Sequence, residues 1–302
     1  MSLSKTLNLL KISIVSLLLL ACGVFVGNPA DDEDENKAKI SGSLFFGPVD
    51  DATIEVFELE SDGTRGKILT STKSTDGVWS IEIPTTDYPV EIVSKSGNYL
   101  DEASGVSVSL SANGELSAII SSFENRDHIA INPVTHFMAK YVRKNAGSKV
   151  SEIIGQANDT FATQFGLGTV SLVDIKPVDL TKPSDDNASL TDGVKMGMIM
   201  AGFSQVALNA GLTEDLELLV QSIAIDFSDG NLNLKVFDEE LASDQITNLS
   251  PFDAISSLEI AISQFLSSDK NKSKFKESSI SIPVPPSGSG GVGLNLRGNR
   301  SE

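Results

Sequence analysis

The chain has one cysteine in 302 residues, Cys22, which excludes an intramolecular disulfide and any cysteine-rich metal site. Histidine is almost as scarce. His128 and His136 are the only two, eight positions apart, with no neighbouring cysteine and no recognised ligand spacing. A metal or acid–base role for them is disfavoured against capping, surface exposure or packing between domains. Positive charge is also short, with 23 Lys and Arg against 41 Asp and Glu and a formal net charge of −18. That field repels phosphate backbones, so nucleic-acid binding is disfavoured. The apolar run around Ile12–Leu20 is too short for a membrane span, which takes roughly 20 residues in helical form. Nowhere does the chain carry a Gly-x-Ser-x-Gly elbow, a His-Glu-x-x-His helix or a phosphate-cradling loop. Gly288, Gly290 and Gly293 match a dinucleotide fingerprint in spacing only, because no buried strand precedes them and no acid follows at the required distance.

What is present begins with an export signal over residues 1–21: Lys5 and Lys11 as the positive region, the short apolar run, then the small residue Ala21. Leu19-Leu20-Ala21-Cys22 resembles the lipobox of bacterial lipoproteins. The resemblance implies a diacylglyceryl group on the Cys22 thiol and cleavage before it. Two or three acyl chains, at about 0.8 kcal/mol per buried methylene, would anchor the protein lastingly. Gly23 takes the place where an aspartate would, by resemblance to the enteric sorting rule, retain the protein in the inner membrane. Lipid attachment to the cell outer membrane, on its periplasmic or surface side, is the expectation.

Residues 22–38 contain Asp31-Asp32-Glu33-Asp34-Glu35, a like-charge block without apolar partners, which reads as a disordered tether. From 39 to 124 apolar residues alternate or come in short runs between turn signals, the pattern of an antiparallel β-sandwich of about seven strands. Trp79, Ile81 and Ile83 share one face; Val106, Val108 and Leu110 alternate with serines; Ile54-Glu55-Val56, Val90-Glu91-Ile92 and Leu116-Ser117-Ala118 read as half-buried strands. Asp62-Gly63, Asp76-Gly77 and Asn113-Gly114 supply the turns.

At 125–278 the period changes to 3.6 and an all-α domain is expected, giving an α+β chain of two domains. Asn132-Pro133 starts a helix with the stripe Val134, Phe137, Met138, Tyr141 and Val142; a second stripe runs from Val150 to Phe165 and stops at Gly166. Residues 189–210, 213–225 and 250–267 complete the set, with Thr213 and Ser250-Pro251 as candidate amino-terminal caps. Gly193, Gly197 and Gly202 weaken the third helix by up to about 1 kcal/mol each, and close helix packing is the expected compensation. Residues 279–302, rich in Pro, Gly and Ser, read as a tail without a core.

The candidate cation site is Asp226, Ser228, Asp229, Gly230, Asn231 and Asn233, an oxygen-rich turn expected just past a helix end. Hard cations such as calcium select such ligands, but the spacing is shorter than an EF-hand loop, and a turn closed by its own Asx hydrogen bonds is the preferred reading. No other cofactor is implied.

Gly47-Pro48-Val49-Asp50-Asp51-Ala52-Thr53-Ile54, Thr75-Asp76-Gly77-Val78-Trp79, Gly97 to Gly105 and Asn132-Pro133-Val134-Thr135 together resemble bacterial lipoproteins with a carboxypeptidase-regulatory-like, transthyretin-like (prealbumin-like) β-sandwich. The resemblance implies an accessory, non-catalytic module. The functional expectation is thus a non-enzymatic lipoprotein with a structural, adhesive or ligand-interaction role toward a protein or glycan in the cell envelope. The alternative is an envelope enzyme or small-ligand binder whose cleft lies between the domains, near Asp101, Glu102, His128 and His136.

Overall fold

A computed structural model describes residues 37–228 and 254–276, apart from 85–87, 112–113, 124–125, 148, 169 and 186–188. The lipobox Leu19, Leu20, Ala21 and Cys22, the acidic tether, the cap Ser250-Pro251 and the tail lie outside the described residues. From Ala38 onward the chain is one compact unit, a β-rich region followed by a helical one.

Among the described residues ten strands form three sheets. The strands are β1 (Lys37–Leu44), β2 (Val49–Asp50), β3 (Thr53–Leu59), β4 (Arg65–Lys73), β5 (Val78–Pro84), β6 (Val90–Lys95), β7 (Asn98–Leu100), β8 (Ser107–Ser109), β9 (Glu115–Ile120) and β10 (Ile129–Ile131). The largest sheet has the order β4-β3-β6-β9 and is antiparallel throughout; the others run β10-β1-β5 and β2-β7-β8. The count exceeds the expected seven because β2, β7, β8 and β10 are only two or three residues long, too short to show a period. Nor is the β-region purely antiparallel. β10 lies inside the stretch expected to be all-α, and it pairs parallel with β1, Ser43 opposite Ala130.

Alternation predicts β5 correctly, with Trp79, Ile81 and Ile83 buried and their neighbours exposed. It misleads for β6 and β9. All of Val90–Ser94 is buried, and so is all of Leu116–Ile120, because the sheet is covered on both faces. Val106 is exposed and precedes β8 rather than belonging to it. At Asp76-Gly77 both residues have positive φ, the geometry the turn reading requires.

Among the described residues five α-helices follow: α1 (Pro133–Asn145), α2 (Val150–Gln164), α3 (Asp192–Asn209), α4 (Leu216–Ser228) and α5 (Ala254–Ser267). Asn132 caps α1 in a reciprocal box with Thr135: its side chain accepts from the Thr135 amide, while Thr135 Oγ1 accepts from the Asn132 amide. α2 ends at Gly166, where the Leu167 amide bonds Ala162 O and the Gly166 amide bonds Thr163 O. Thr213 opens a 3₁₀ turn over Thr213–Asp215 that leads into α4.

α3 is buried on nearly every side, which suits its run Met196 to Ala207. A Cβ on Gly197 would sit 2.1 Å from the carbonyl oxygen of Val178, and one on Gly202 would meet Ile262 and Leu258 of α5 at 2.5 and 2.7 Å. Close helix packing, the expected compensation, is met at Gly202 alone; Gly193 and Gly197 instead admit the backbone of the non-helical segment at Lys176 and Val178. One continuous hydrophobic core runs from Ile40 to Phe275 through sheets and helices alike. Among the described residues no helix is long and apolar enough to cross a membrane.

Candidate functional site

The second face of the large sheet carries Arg65 (β4), Glu91 (β6), Glu115 and Ser117 (β9), and α1 and α4 lie over it. Glu91 is completely buried, so its charge must be answered locally. Arg65 answers it with a two-pronged contact, Nε to Oε2 at 2.7 Å and Nη2 to Oε1 at 3.0 Å. The same guanidinium grips Glu115 through Nη1 and Nη2, each at 2.8 Å, and stacks 5.5 Å above the Phe57 ring. From α1, Lys140 reaches Glu115 at 3.2 Å, and Arg143 lies 3.7 Å from Glu91.

The network shifts its members in opposite directions. Burial alone would raise the Glu115 carboxyl, but hydrogen bonds and charge from Arg65, with Lys140 behind, outweigh it and bring the pKa down to about 2. Burial opposes the Arg65 charge too, yet the two carboxylates push its pKa upward, so it stays ionised.

Next to this network sits His136, fully buried. Its Nδ1 is 3.2 Å from Ser117 Oγ and its Nε2 is 3.2 Å from Gln221 Oε1. The Gln221 amide nitrogen donates to the Glu115 carbonyl at 2.8 Å, which leaves Oε1 as an acceptor and assigns the ring proton to Nε2. Nδ1 then accepts from the Ser117 hydroxyl. Burial first, and the neighbouring Lys140 charge second, hold His136 neutral with a pKa of about 3. The Glu115 charge favours an imidazolium but is outweighed, and the chain Ser117–His136–Gln221 ties β9 to α1 and α4 through a neutral ring.

His128 lies elsewhere, its Nε2 3.1 Å from Ser43 Oγ on β1. Burial and the Lys176 charge lower its pKa, with Asp174 opposing them. Asp174 is itself engaged by Arg126.

Asp101 and Glu102 occupy a third place, the turn between β7 and β8, docked on α3. Asp101 is fully buried and well supplied: its Oδ1 accepts from the Ser104 amide at 2.8 Å and from Ser104 Oγ at 2.6 Å, and its Oδ2 accepts from Ser204 Oγ. Glu102 is equally buried, but neither of its carboxylate oxygens has a hydrogen-bond partner among the described residues. Burial, then the charges of Asp179 and Asp101, raise its pKa well above the usual carboxylate range.

The four residues expected around one cleft thus separate into three environments. Asp101 and Glu102 stay together, while each histidine is spent on its own serine. Reading the sequence misses Arg65, Glu91, Glu115, Gln221 and Ser204. Two of them carry a signal: Glu91 interrupts Val90–Val93, and Ser204 interrupts the apolar run of α3. Of the oxygen-rich cation candidate, Asp226 and Ser228 fall in the last turn of α4 rather than in a loop, whereas Asp229, Gly230, Asn231 and Asn233 lie outside the described residues. No cluster of three His, Cys, Asp or Glu side chains able to hold a metal occurs among the described residues.

Neither the protein-family models nor the curated proteins contain a match to this chain.

Proposed function

We propose that the chain is a lipid-anchored protein of the bacterial envelope, attached to the outer membrane through acyl chains on Cys22, whose folded body has a non-catalytic structural, adhesive or ligand-interaction role. The observation that carries this reading is Leu19-Leu20-Ala21-Cys22 behind a charged and apolar leader. The acidic block Asp31–Glu35 serves as spacer, reaching at most about 3.5 Å per residue from the lipid surface. The β-region is read as a sandwich of the carboxypeptidase-regulatory-like kind and the helical region as its companion domain. Support comes from how the polar groups over the large sheet are used: Arg65, Glu91, Glu115, Ser117, His136 and Gln221 satisfy one another.

Palmitate labelling with membrane fractionation tests the reading. Wild type should take the label and sediment with the outer membrane, whereas Cys22→Ala should lose it while remaining folded. Equal labelling of both removes the anchor. The second reading, an envelope enzyme or small-ligand binder, draws on Glu102 alone, a carboxyl at the β-to-helix junction whose two oxygens have no partner among the described residues. A ligand that raises the melting temperature of wild type but not of Glu102→Gln would favour it.

A further inference from the structure

Glu102 is trapped by its neighbours. On one side Asp101 accepts from Ser204 Oγ, and on the other the Ala103 amide donates to the same oxygen at 2.9 Å, so a single α3 hydroxyl grips the chain before and after Glu102. Ser204 is the only polar side chain among the fully buried residues of α3, and both of its hydrogen bonds go to this turn. The turn is closed further by the Gly105 amide on Asp101 O at 2.8 Å and by Asp101 N on Val106 O at 2.9 Å. Those bonds fix the backbone on both sides of Glu102, whose side chain is buried in this seat.

Among the described residues no hydrogen-bond donor meets either carboxylate oxygen of Glu102. From its own turn Glu102 faces Asp101, and from the segment before α3 it faces Asp179, whose charge is met by Thr181 and by Lys182 at 3.2 Å. From the segment after α5, Lys270 lies along Gly105, and it is not among the charges that act on Glu102. α3 contributes only the neutral Ser204 at this place. A buried carboxylate with no donor and two like charges beside it is among the costliest groups a fold can hold.

We propose that Glu102 is a proton-operated latch: uncharged, it seats the 101–105 turn on α3; ionised, it forces that turn away and breaks both bonds to Ser204. The raised affinity of this carboxyl for its proton agrees in direction. In the unfolded chain Glu102 releases its proton near the ordinary 4.5, whereas the folded chain retains it. Folding then takes up one proton above that pH, and the folding constant falls by up to about tenfold per pH unit until the folded carboxyl itself ionises. The contribution is complete in acid and fades as pH rises.

Carbon-13 NMR of the full chain labelled at glutamate side chains, taken from about pH 3 to about pH 9, reads the latch directly. The carboxyl signal missing from Glu102→Gln should titrate well above every other glutamate. Hydrogen exchange of the Ala103 amide should accelerate in step with that titration, beyond ordinary base catalysis, and stay protected in Glu102→Gln. Titration of Glu102 alongside the other glutamates overturns the proposal, as does an equal loss of Ala103 protection in both proteins. Restoration of protection by millimolar calcium at high pH in wild type alone overturns it in favour of a cation seat. If Glu102→Gln does not fold, removing each other glutamate in turn leaves one carboxyl signal unassigned, and its titration in wild type decides between the same outcomes.

Discussion

Glu91 and Glu102 are equally hidden from solvent, yet one sits in a fully paired network and the other has no described partner for either oxygen. Both lie in the β-region against the helices. The difference is the element opposite. Glu91 faces Arg65 of β4 and Arg143 of α1, while Glu102 faces α3, whose buried side offers one neutral hydroxyl, and two acids. Burial by itself thus says little about what a charge does in this fold; the partner decides whether it cements a junction or loads it.

The sharpest way to break the contrast is to take from Glu91 its two-pronged partner and leave it only Arg143 at 3.7 Å. Arg65→Ala leaves Glu91 buried and Glu115 half-buried without their shared guanidinium, and urea unfolding should show a loss of about 3–5 kcal/mol. A loss below about 1 kcal/mol, on the order expected of a solvent-screened pair, would place the network at the surface in energetic terms.

The next effect is one of pH, and its sign opposes that of Glu102. His136 has a folded pKa of about 3 against an ordinary 6.5, so the unfolded chain binds the extra proton between those values. The His136 contribution over this window falls as pH falls, by up to about 1.4 kcal/mol per unit. It runs against the Glu102 slope above 4.5, so the check is the difference between wild type and His136→Gln, which should lack it. Below 4.5 a remaining decline belongs to Glu115, which loses its partnership only as pH approaches 2.

A steric change gives the charge-free reference. Gly197→Ala drives a methyl against the Val178 backbone oxygen and should cost about 1–3 kcal/mol equally at all pH values. Gly202→Ala meets side-chain atoms, Ile262 Cγ1 and Leu258 Cδ1, rather than backbone and should cost less. A pH-dependent Gly197→Ala would mean that packing and titration at α3 are linked. The smallest effect should be at the exposed pair Lys73–Asp51, where Lys73→Ala is expected to change stability by less than about 0.5 kcal/mol in thermal melts.

Local chemistry carried much of the fold into view. The Asn132 cap, the Gly166 stop, the Asp76-Gly77 turn and the alternating β5 are decided by neighbours a few residues apart, and their types and spacing are visible in the chain. The three glycines of α3 announced close contact without naming what approaches. β10 was invisible for the opposite reason: Ile129-Ala130-Ile131 is too short for a period and becomes a strand only because β1 lies beside it. For the candidate site, Asp101 and Glu102 were legible as adjacent acids, but not that Ser204, about a hundred positions on, would supply one of them and not the other.

The sequence by itself determined where α1 begins and where α2 stops, which strand face of β5 turns inward, the anionic charge, and the lipobox on which the proposed anchor rests. Only the tertiary structure decided that β6 and β9 are covered on both faces, that Arg65 meets two acids from two other strands, and that Glu102 meets no donor among the described residues. The reason is range. Caps and turns close within one chain segment, whereas the partner of a buried charge is whatever the packing of distant elements brings within about 3 Å, and no local pattern encodes that distance.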